Sequence, residues 1–183
     1  MDRRQRKTRE AIFDAFVELL SEKSFEKMTV GEIIERADVG RATFYAHFET
    51  KEYLLKEFCQ ELFCHIFDAV SPTPINHKHI FTCDTNDSVF LHLLRHLGSD
   101  DNHILKLFLS PNNELFLSYF KSNLKELVKA NLSLFSHRKS PVLPEDLWIS
   151  HIASTFTDTL RWWVKNGRRE NAERVAEYFY LSV

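Results

Sequence analysis

The chain has 183 residues, of which 44% are apolar, so it can bury a substantial core in one compact body or in a small head plus a larger body. Its formal net charge of −2 excludes a protein that coats nucleic acid nonspecifically, because affinity for phosphate must then come from a local patch. Four glycines and five prolines, among many leucines, phenylalanines, lysines and glutamates, predict an all-α fold. Three cysteines without paired spacing indicate a reducing compartment, and we expect a cytoplasmic protein.

The first ten residues, MDRRQRKTRE, carry strong positive charge and no apolar segment. We therefore expect no signal peptide, and the absence of any apolar run of about eighteen residues predicts no membrane span. The basic residues precede two short helical patterns, which favours contact with phosphates or the minor groove over a role as a solubilising tail. This basic arm consists of Arg3, Arg4, Arg6 and Lys7.

The first helix is predicted at residues 8–21, where an apolar stripe at helical spacing is wide enough to cover two further helices. Thr29 is then predicted to cap the second helix, and Glu32, three residues later, completes a capping-box pattern. A hydroxyl at a helix start also suits a phosphate oxygen, so Thr29 has a second possible role beside capping.

Two short helical patterns, Gly31 to Ala37 and Arg41 to Phe48, are separated by a turn of only three residues. Asp38 tolerates the left-handed conformation that helix ends often need, and Gly40 is an acceptable N-cap without a side chain. This arrangement predicts a helix-turn-helix. Its second helix has an apolar inner face and a polar outer face, as expected of a recognition helix for the DNA major groove.

The remaining chain predicts a long helix at residues 52–70, a break at residues 71–86, and further helices. These further helices are predicted at residues 87–97, 102–109, 112–136, 145–165 and 170–182. The whole chain then has about nine helices. We expect a three-helix DNA-binding head at residues 1–51 and a body for effector binding and dimerisation at residues 52–183, with the helix at 52–70 linking the two.

The stretch from Thr29 to Lys51, followed by Glu52 and Leu54, resembles the helix-turn-helix of the TetR/AcrR family of bacterial transcriptional regulators. The resemblance is strong over residues 8–56, whereas the rest of the chain matches only in length, helicity and an aromatic-rich C-terminal region. It implies a homodimer formed through the last two helices, with middle helices that enclose a pocket for a small-molecule effector. The matching features include Thr29-Val30, Val39, Thr43-Phe44-Tyr45, His47-Phe48 and Lys51-Glu52.

The resemblance also assigns roles to single residues. A bidentate arginine suits guanine, a threonine methyl suits thymine, and a lysine at a helix start suits phosphate. Base-edge contacts are assigned to Arg41, Ala42, Thr43 and Tyr45. Phosphate contacts are assigned to Thr29, Tyr45, His47 and Lys51.

We therefore predict a dimeric, ligand-responsive regulator of transcription, acting as a repressor on an operator in double-stranded DNA. Effector binding in the body is expected to tilt the fourth helix and change the separation of the two recognition helices. Asp38 and Gly40 depart from the Gly and the Ser or Thr that are common in the family. They leave open an alternative, a co-regulator that binds a partner protein with weak or no DNA affinity.

Histidines and cysteines suggest two further kinds of site. Cys59, Cys64 and His65, with the loop residues His77, His79 and Cys83, match no zinc-binding spacing, so we predict no metal and no cofactor. No nucleophile elbow, zinc-protease motif, P-loop or dinucleotide fingerprint occurs, so we do not expect an enzyme. An effector pocket needs aromatic walls with a few polar groups, although single aromatic residues more often belong to the core. The candidates for it are His92, His96, His103, Trp148 and Phe156.

Overall fold

The computed structural model describes residues 3–70, 88–98, 104–109 and 113–183. Within these residues the chain forms nine α-helices, two 3-10 helices and no strand, which confirms the predicted all-α fold. None of the described helices is both long enough and apolar enough to cross a membrane. The α-helices are α1 (Arg3–Glu22), α2 (Val30–Arg36), α3 (Arg41–His47), α4 (Lys51–Val70), α5 (Val89–Gly98), α6 (Ile104–Leu109), α7 (Glu114–Ala130), α8 (Glu145–Lys165) and α9 (Ala172–Leu181).

Two predicted helix boundaries were wrong. The first helix begins at Arg3 rather than near residue 8, so the basic arm forms the first turns of α1 instead of preceding it. The helix predicted at 112–136 ends at Ala130, and a 3-10 helix, Leu132–Arg138, follows. At the break, the side-chain amide of Asn131 donates to the Leu127 carbonyl at 2.9 Å. Asparagine offers the backbone such local alternatives to the helical bond, so the helix ends although the apolar pattern continues.

The head consists of α1, α2 and α3 around a core that contains Phe16, Ile33 and Phe44, all fully buried. On the outside of this core, the Arg36 guanidinium of α2 makes a two-point contact with the Glu22 carboxylate of α1, at 2.8 and 3.1 Å. The paired geometry fixes the angle between the two helices more than it stabilises the fold, because exposed ion pairs contribute little.

Arg9 joins α1 to α4 and to the end of α3. Its guanidinium donates to Glu57 Oε2 at 2.7 Å and to Glu61 Oε1 at 3.3 Å, both on α4. The same guanidinium lies 4.9 Å from the ring centroid of Phe13 and 5.0 Å from that of Phe48. Only 17% of the Arg9 side chain is exposed, so its charge is largely withdrawn from water and depends on these partners.

The body packs its helices around the continuation of the same core, which runs from the head without interruption among the described residues. α4 packs against α5 and α7, α8 packs against α6, α7 and α9, and α1 of the head also packs against α6. Edge-to-face and tilted aromatic contacts fill the body, and they form two groups. The groups are Phe63, Phe108, Phe116 and Phe120, and Phe90, Phe135, Phe156 and Phe179.

The end of α5 is fixed against the end of α8. A side chain at Gly98 would place its Cβ 2.6 Å from the Trp163 ring, so only glycine permits this approach. The Gly98 carbonyl accepts a hydrogen bond from Arg168 Nη1 at 2.9 Å, and Trp163 Nε1 donates to the Glu170 carbonyl at 2.8 Å. These contacts hold α5 at a defined position in the body.

We expect Arg9→Met to lower the free energy of unfolding by about 2 kcal/mol, because Glu57 and Glu61 lose the cation that offsets their partial burial. Chemical denaturation at pH 7 measures the change. Lys7→Met is the matched control: Lys7 is exposed on the same helix, and its replacement is expected to change stability by less than about 0.5 kcal/mol. An equal effect in the two variants would contradict the role given to Arg9.

Candidate nucleic-acid interface

α2 begins with the capping box that the sequence predicts. Thr29 Oγ1 accepts from the Glu32 N–H at 3.2 Å, and Glu32 Oε2 accepts from the Thr29 N–H at 2.9 Å. The Lys23 ammonium also bonds the Glu32 carboxylate, and with the Thr29 bonds it lowers the pKa of Glu32 to about 2. The helix start is therefore fixed to the end of α1. Thr29 is exposed, and its contact with phosphate stays a prediction.

The turn between α2 and α3 also has the predicted conformation. Asp38 is left-handed, with φ of 51°, and the Val39 N–H donates to the Ile34 carbonyl at 3.0 Å. Gly40 is the N-cap of α3, in an extended conformation without a side-chain cap. Asp38 is exposed at this turn, so its negative charge lies in solvent next to the start of α3.

α3 has one buried and one exposed face. Phe44 and the following Phe48 are fully buried, whereas Arg41, Ala42 and Thr43 are exposed. Tyr45 is 47% exposed, and its ring lies edge-on to Phe44 with 5.5 Å between centroids. The core therefore holds α3 from one side and leaves all four residues that were assigned to base edges open to a partner.

His47 lies half-buried at the end of α3. Burial lowers the pKa of His47, and the positive charge of Arg9 lowers it further. At neutral pH its imidazole is therefore uncharged and offers a single N–H donor. A contact between His47 and phosphate stays a prediction.

Lys51 has a position that the sequence did not indicate. Its ammonium donates to three backbone carbonyls, those of Met28 at 2.9 Å, Phe25 at 3.0 Å and Glu26 at 3.2 Å. It also lies 4.7 Å from the centroid of the Phe25 ring. An ammonium has three donors, and all three are used here. The geometry therefore favours a structural role, which fixes the start of α4 to the segment before α2, over the predicted phosphate contact.

The basic arm divides in two. Arg3, Arg4 and Lys7 are exposed on the first turns of α1. Arg6 is half-buried and pairs with Glu10 one turn later, at 3.4 Å. The charges of Arg3, Arg4 and Lys7 are thus the ones open to a phosphate backbone.

The aromatic candidates for an effector pocket have different surroundings. Phe156 is fully buried against Phe90 and Phe179, with ring centroids 5.6 and 5.0 Å away, which makes it a core residue. Trp148 stacks on His151, with an interplanar angle of 19° and 5.4 Å between centroids. Its buried Nε1 has no hydrogen-bond acceptor in the part of the chain that the structure describes.

Two of the histidine candidates lie next to His65, which was grouped with Cys59 and Cys64 on the basis of the sequence. His92 and His96 of α5 lie next to His65 of α4, whereas His103 lies outside the described residues. The separation of four residues between His92 and His96 was a usable signal that they share one helix face. Their proximity to His65 depends on how α4 packs against α5, and the spacing of residues within one helix does not predict that packing.

The fold and the exposed helix together define a helix-turn-helix protein with a helical C-terminal body. The family model described as bacterial regulatory proteins, tetR family, matches residues 12–58, and the model described as a transcriptional regulator C-terminal region matches residues 84–183. The chain therefore belongs to the TetR family of transcriptional regulators.

Individual relatives agree with this membership. A TetR transcriptional regulator from Streptococcus agalactiae 2603V is 34% identical, with a TM-score of 0.74 over 100% of this chain and 96% of that one. The fatty acid degradation regulator FadR from Bacillus halodurans shares the fold at 17% identity, with a TM-score of 0.63 over 96% of this chain and 93% of that one. The uncharacterised HTH-type regulator YxbF of Bacillus subtilis (strain 168) is 37% identical over 83 residues, 43% of this chain and 22% of YxbF. The match thus spans about a fifth of the length of YxbF.

We expect Lys51→Met to lower the free energy of unfolding by about 1–2 kcal/mol, because three carbonyls lose a charged donor. The salt dependence of DNA affinity should stay as in the parent, because no phosphate contact is lost. Lys56→Met, at an exposed position on the same helix, is the control for stability. If stability is unchanged and the slope of DNA affinity against salt falls by about one, the result would instead support the predicted contact between Lys51 and phosphate.

Proposed function

We propose that the protein is a ligand-responsive repressor that binds an operator in double-stranded DNA as a homodimer. A protein with this function acts in the cytoplasm. The observation that carries the proposal is the exposed face of α3. Arg41, Thr43 and Tyr45 lie on this face, while the opposite face is anchored in the core by Phe44.

These side chains have the chemistry of direct readout. The Arg41 guanidinium can donate two hydrogen bonds to O6 and N7 of a guanine, and the Thr43 methyl can contact a thymine methyl. Ala42 adds little bulk, so the backbone of α3 can approach the floor of the major groove. Tyr45 contributes a phenol hydroxyl that can reach a base edge or a phosphate oxygen.

Exposed positive charges on α1 support contact with a phosphate backbone. Arg3, Arg4 and Lys7 are exposed at the start of α1, in the same head. The whole chain carries a formal net charge of −2, so binding depends on this local concentration of positive charge. Asp38 opposes it, and affinity is therefore expected to rely on a dimer that contacts two half-sites.

The outer surface of α8 and α9 supports the homodimer. Trp162 of α8 is 44% exposed and lies edge-on to Tyr178 of α9, with 5.7 Å between ring centroids. Leu181 at the end of α9 is 70% exposed, and together with Thr159 these residues line one shallow cleft between the two helices. Large apolar side chains that share an exposed surface are typical of an interface between subunits.

Two features support an effector that acts through the body. The buried indole N–H of Trp148 can donate to a polar group of a ligand. α4 begins at Lys51 beside the recognition helix and packs against α5 and α7. An effector that binds the body better in one arrangement of α4 than in another would favour that arrangement and so change the separation of the two heads. The difference between its two affinities sets how far it can shift the equilibrium.

DNA binding is tested with a site selected from a randomised duplex pool by the purified protein. We expect specific binding with a steep salt dependence, and Arg41→Ala should weaken it by about 1–3 kcal/mol and relax the preference at one base pair. Tyr45→Ala is expected to weaken binding as well. Arg169→Ala, which removes an exposed arginine between α8 and α9, is the control and should bind as the parent does.

If no duplex is enriched and binding stays nonspecific at low salt, the DNA-binding proposal fails. The co-regulator that binds a protein partner would then be favoured, since the exposed Asp38 and the absence of a side-chain cap at Gly40 are compatible with weak DNA affinity.

The dimer is tested separately by replacing Trp162 with glutamate. We expect Trp162→Glu to shift the protein from dimer to monomer in sedimentation equilibrium, because two charges would then face each other across a two-fold interface. Val142→Glu, at an apolar position that is 89% exposed outside the α8 and α9 surface, should leave the dimer intact. A parent protein that sediments as a monomer would contradict the assigned interface.

A further inference from the structure

Three histidine rings converge between α4 and α5. His65 Nε2 lies 2.9 Å from His96 Nε2 and 3.4 Å from His92 Nε2. One ring nitrogen of each histidine falls within 4.8 Å of those of the other two. The ring centroids are 4.5 to 5.4 Å apart, so the three imidazoles form one cluster.

The two contacts of His65 Nε2 compete for one position on that nitrogen. An imidazole nitrogen carries either one proton or one lone pair in the ring plane, so it makes one good hydrogen bond in that direction. His65 Nε2 faces two other Nε2 atoms at short distance, and a single proton can bridge only one of the two contacts. A cation that accepts one lone pair from each ring would be contacted by all three nitrogens together.

The distances suit such a cation. In tetrahedral coordination with metal–nitrogen bonds of 2.0–2.1 Å, neighbouring ligand nitrogens lie about 3.3 Å apart. The contacts from His65 Nε2 to His96 and His92, at 2.9 and 3.4 Å, bracket this value. All three ligand nitrogens lie within 4.8 Å of one another, so an ion bound by all three requires the imidazole rings to rotate.

The surroundings hold the rings in place. His92 is 1% exposed, His65 is 6% exposed, and His96 is half-buried. Burial, with a smaller effect of His92, lowers the pKa of His96 to about 4. α5 is itself fixed at Gly98 against Trp163, so two of the three ligands lie on an anchored helix.

We propose that His65, His92 and His96 bind one divalent transition-metal ion of the zinc class. Neutral imidazole ligands select zinc, copper, nickel or cobalt over magnesium and calcium, which prefer oxygen. Three protein ligands leave a fourth position for water or an anion. An anion there would offset part of the positive charge of the ion, which three neutral imidazoles leave unbalanced. No metal was predicted from the sequence, because His65 was grouped with nearby cysteines and His92 and His96 were assigned to an effector pocket.

The position of the site gives the ion a regulatory role, which rests on the proposed DNA-binding function. His65 lies on α4, the helix that begins beside the recognition helix, and the other two ligands lie on α5. An ion bound by all three fixes α4 relative to the body. Metal binding is then linked to the position of the head, and therefore to operator affinity.

The metal site is tested on the 183-residue chain after treatment with a chelator. The protein is titrated with Zn²⁺ in a calorimeter, and with Co²⁺ while visible absorption is followed. We expect one ion per chain and the intense visible bands of tetrahedral cobalt. His92→Gln and His96→Gln should each weaken binding by more than about 100-fold, because loss of a ligand exceeds the 10–100-fold effect of losing an outer-shell partner. His151→Gln, at an exposed histidine on α8, should bind as the parent does.

X-ray absorption at the zinc edge of the loaded parent protein tests the ligands without any substitution. Scattering from three imidazole rings supports the site. Sulfur in the coordination shell, fewer than three imidazoles, no binding by the parent, or equal affinity in parent and glutamine variants would each overturn it.

Operator affinity with and without Zn²⁺ tests the regulatory role. A change of at least about tenfold in the parent, absent in His92→Gln, supports linkage. Unchanged affinity in a metal-loaded parent overturns the linkage but not the site. Failure to bind DNA in either state would refute the proposed function, whereas the calorimetric and absorption results on the metal site would stand.

Discussion

The arrangement of the head depends on the partly buried guanidinium of Arg9. A charge that is mostly withdrawn from water is stable only if its partners are correctly placed, and the partners here lie on three helices or at their ends. Glu57 and Glu61 belong to α4, Phe13 belongs to α1, and Phe48 directly follows α3. One side chain therefore sets the position of the recognition helix relative to the helix that leads into the body.

The recognition helix needs this support because it is short. Seven residues make fewer than two turns, and an isolated helix of this length does not persist in water. Its stability comes from Phe44 in the core and from neighbours that are themselves fixed. α2 is held by the capping box at Thr29, and the start of α4 is held by Lys51 on three carbonyls. The side chains on the outer face of α3 are therefore not needed to stabilise the helix and can serve for contact with a partner.

Local patterns were sufficient to predict most of the fold. The helices of the head, the capping box at Thr29 and the left-handed Asp38 follow from short-range spacing and backbone preference, and all are present in the structure. The break at Asn131 was missed because a side chain competed with the helix inside an apolar pattern that continued. The roles of Arg9 and Lys51 were missed for another reason. A basic residue near a DNA-binding motif has the same local signature whether it contacts phosphate or holds two helices together.

The histidine cluster shows the same limit on a larger scale. His92 and His96 are recognisable as a pair from their spacing, but His65 is 27 residues before the nearer of the two and joins them only through the packing of α4 on α5. A site built from two helices becomes visible only when the helices are placed. The exposed residues of α3, in contrast, all belong to one helix, so their spacing in the sequence was enough to predict that they share a face.

The contact between α1 and α6 has a consequence for how the head can move. α6 buries Leu105, Leu107 and Phe108 in the core that continues into the head, so head and body are not joined by a flexible hinge alone. Tightly packed side chains do not slide gradually, because intermediate positions leave voids or overlaps. A reorientation of the head must therefore exchange one close-packed arrangement of α1 on α6 for another, with a barrier between them. The volumes of the side chains at this contact set the balance between the two arrangements, although the contact lies away from the exposed face of α3.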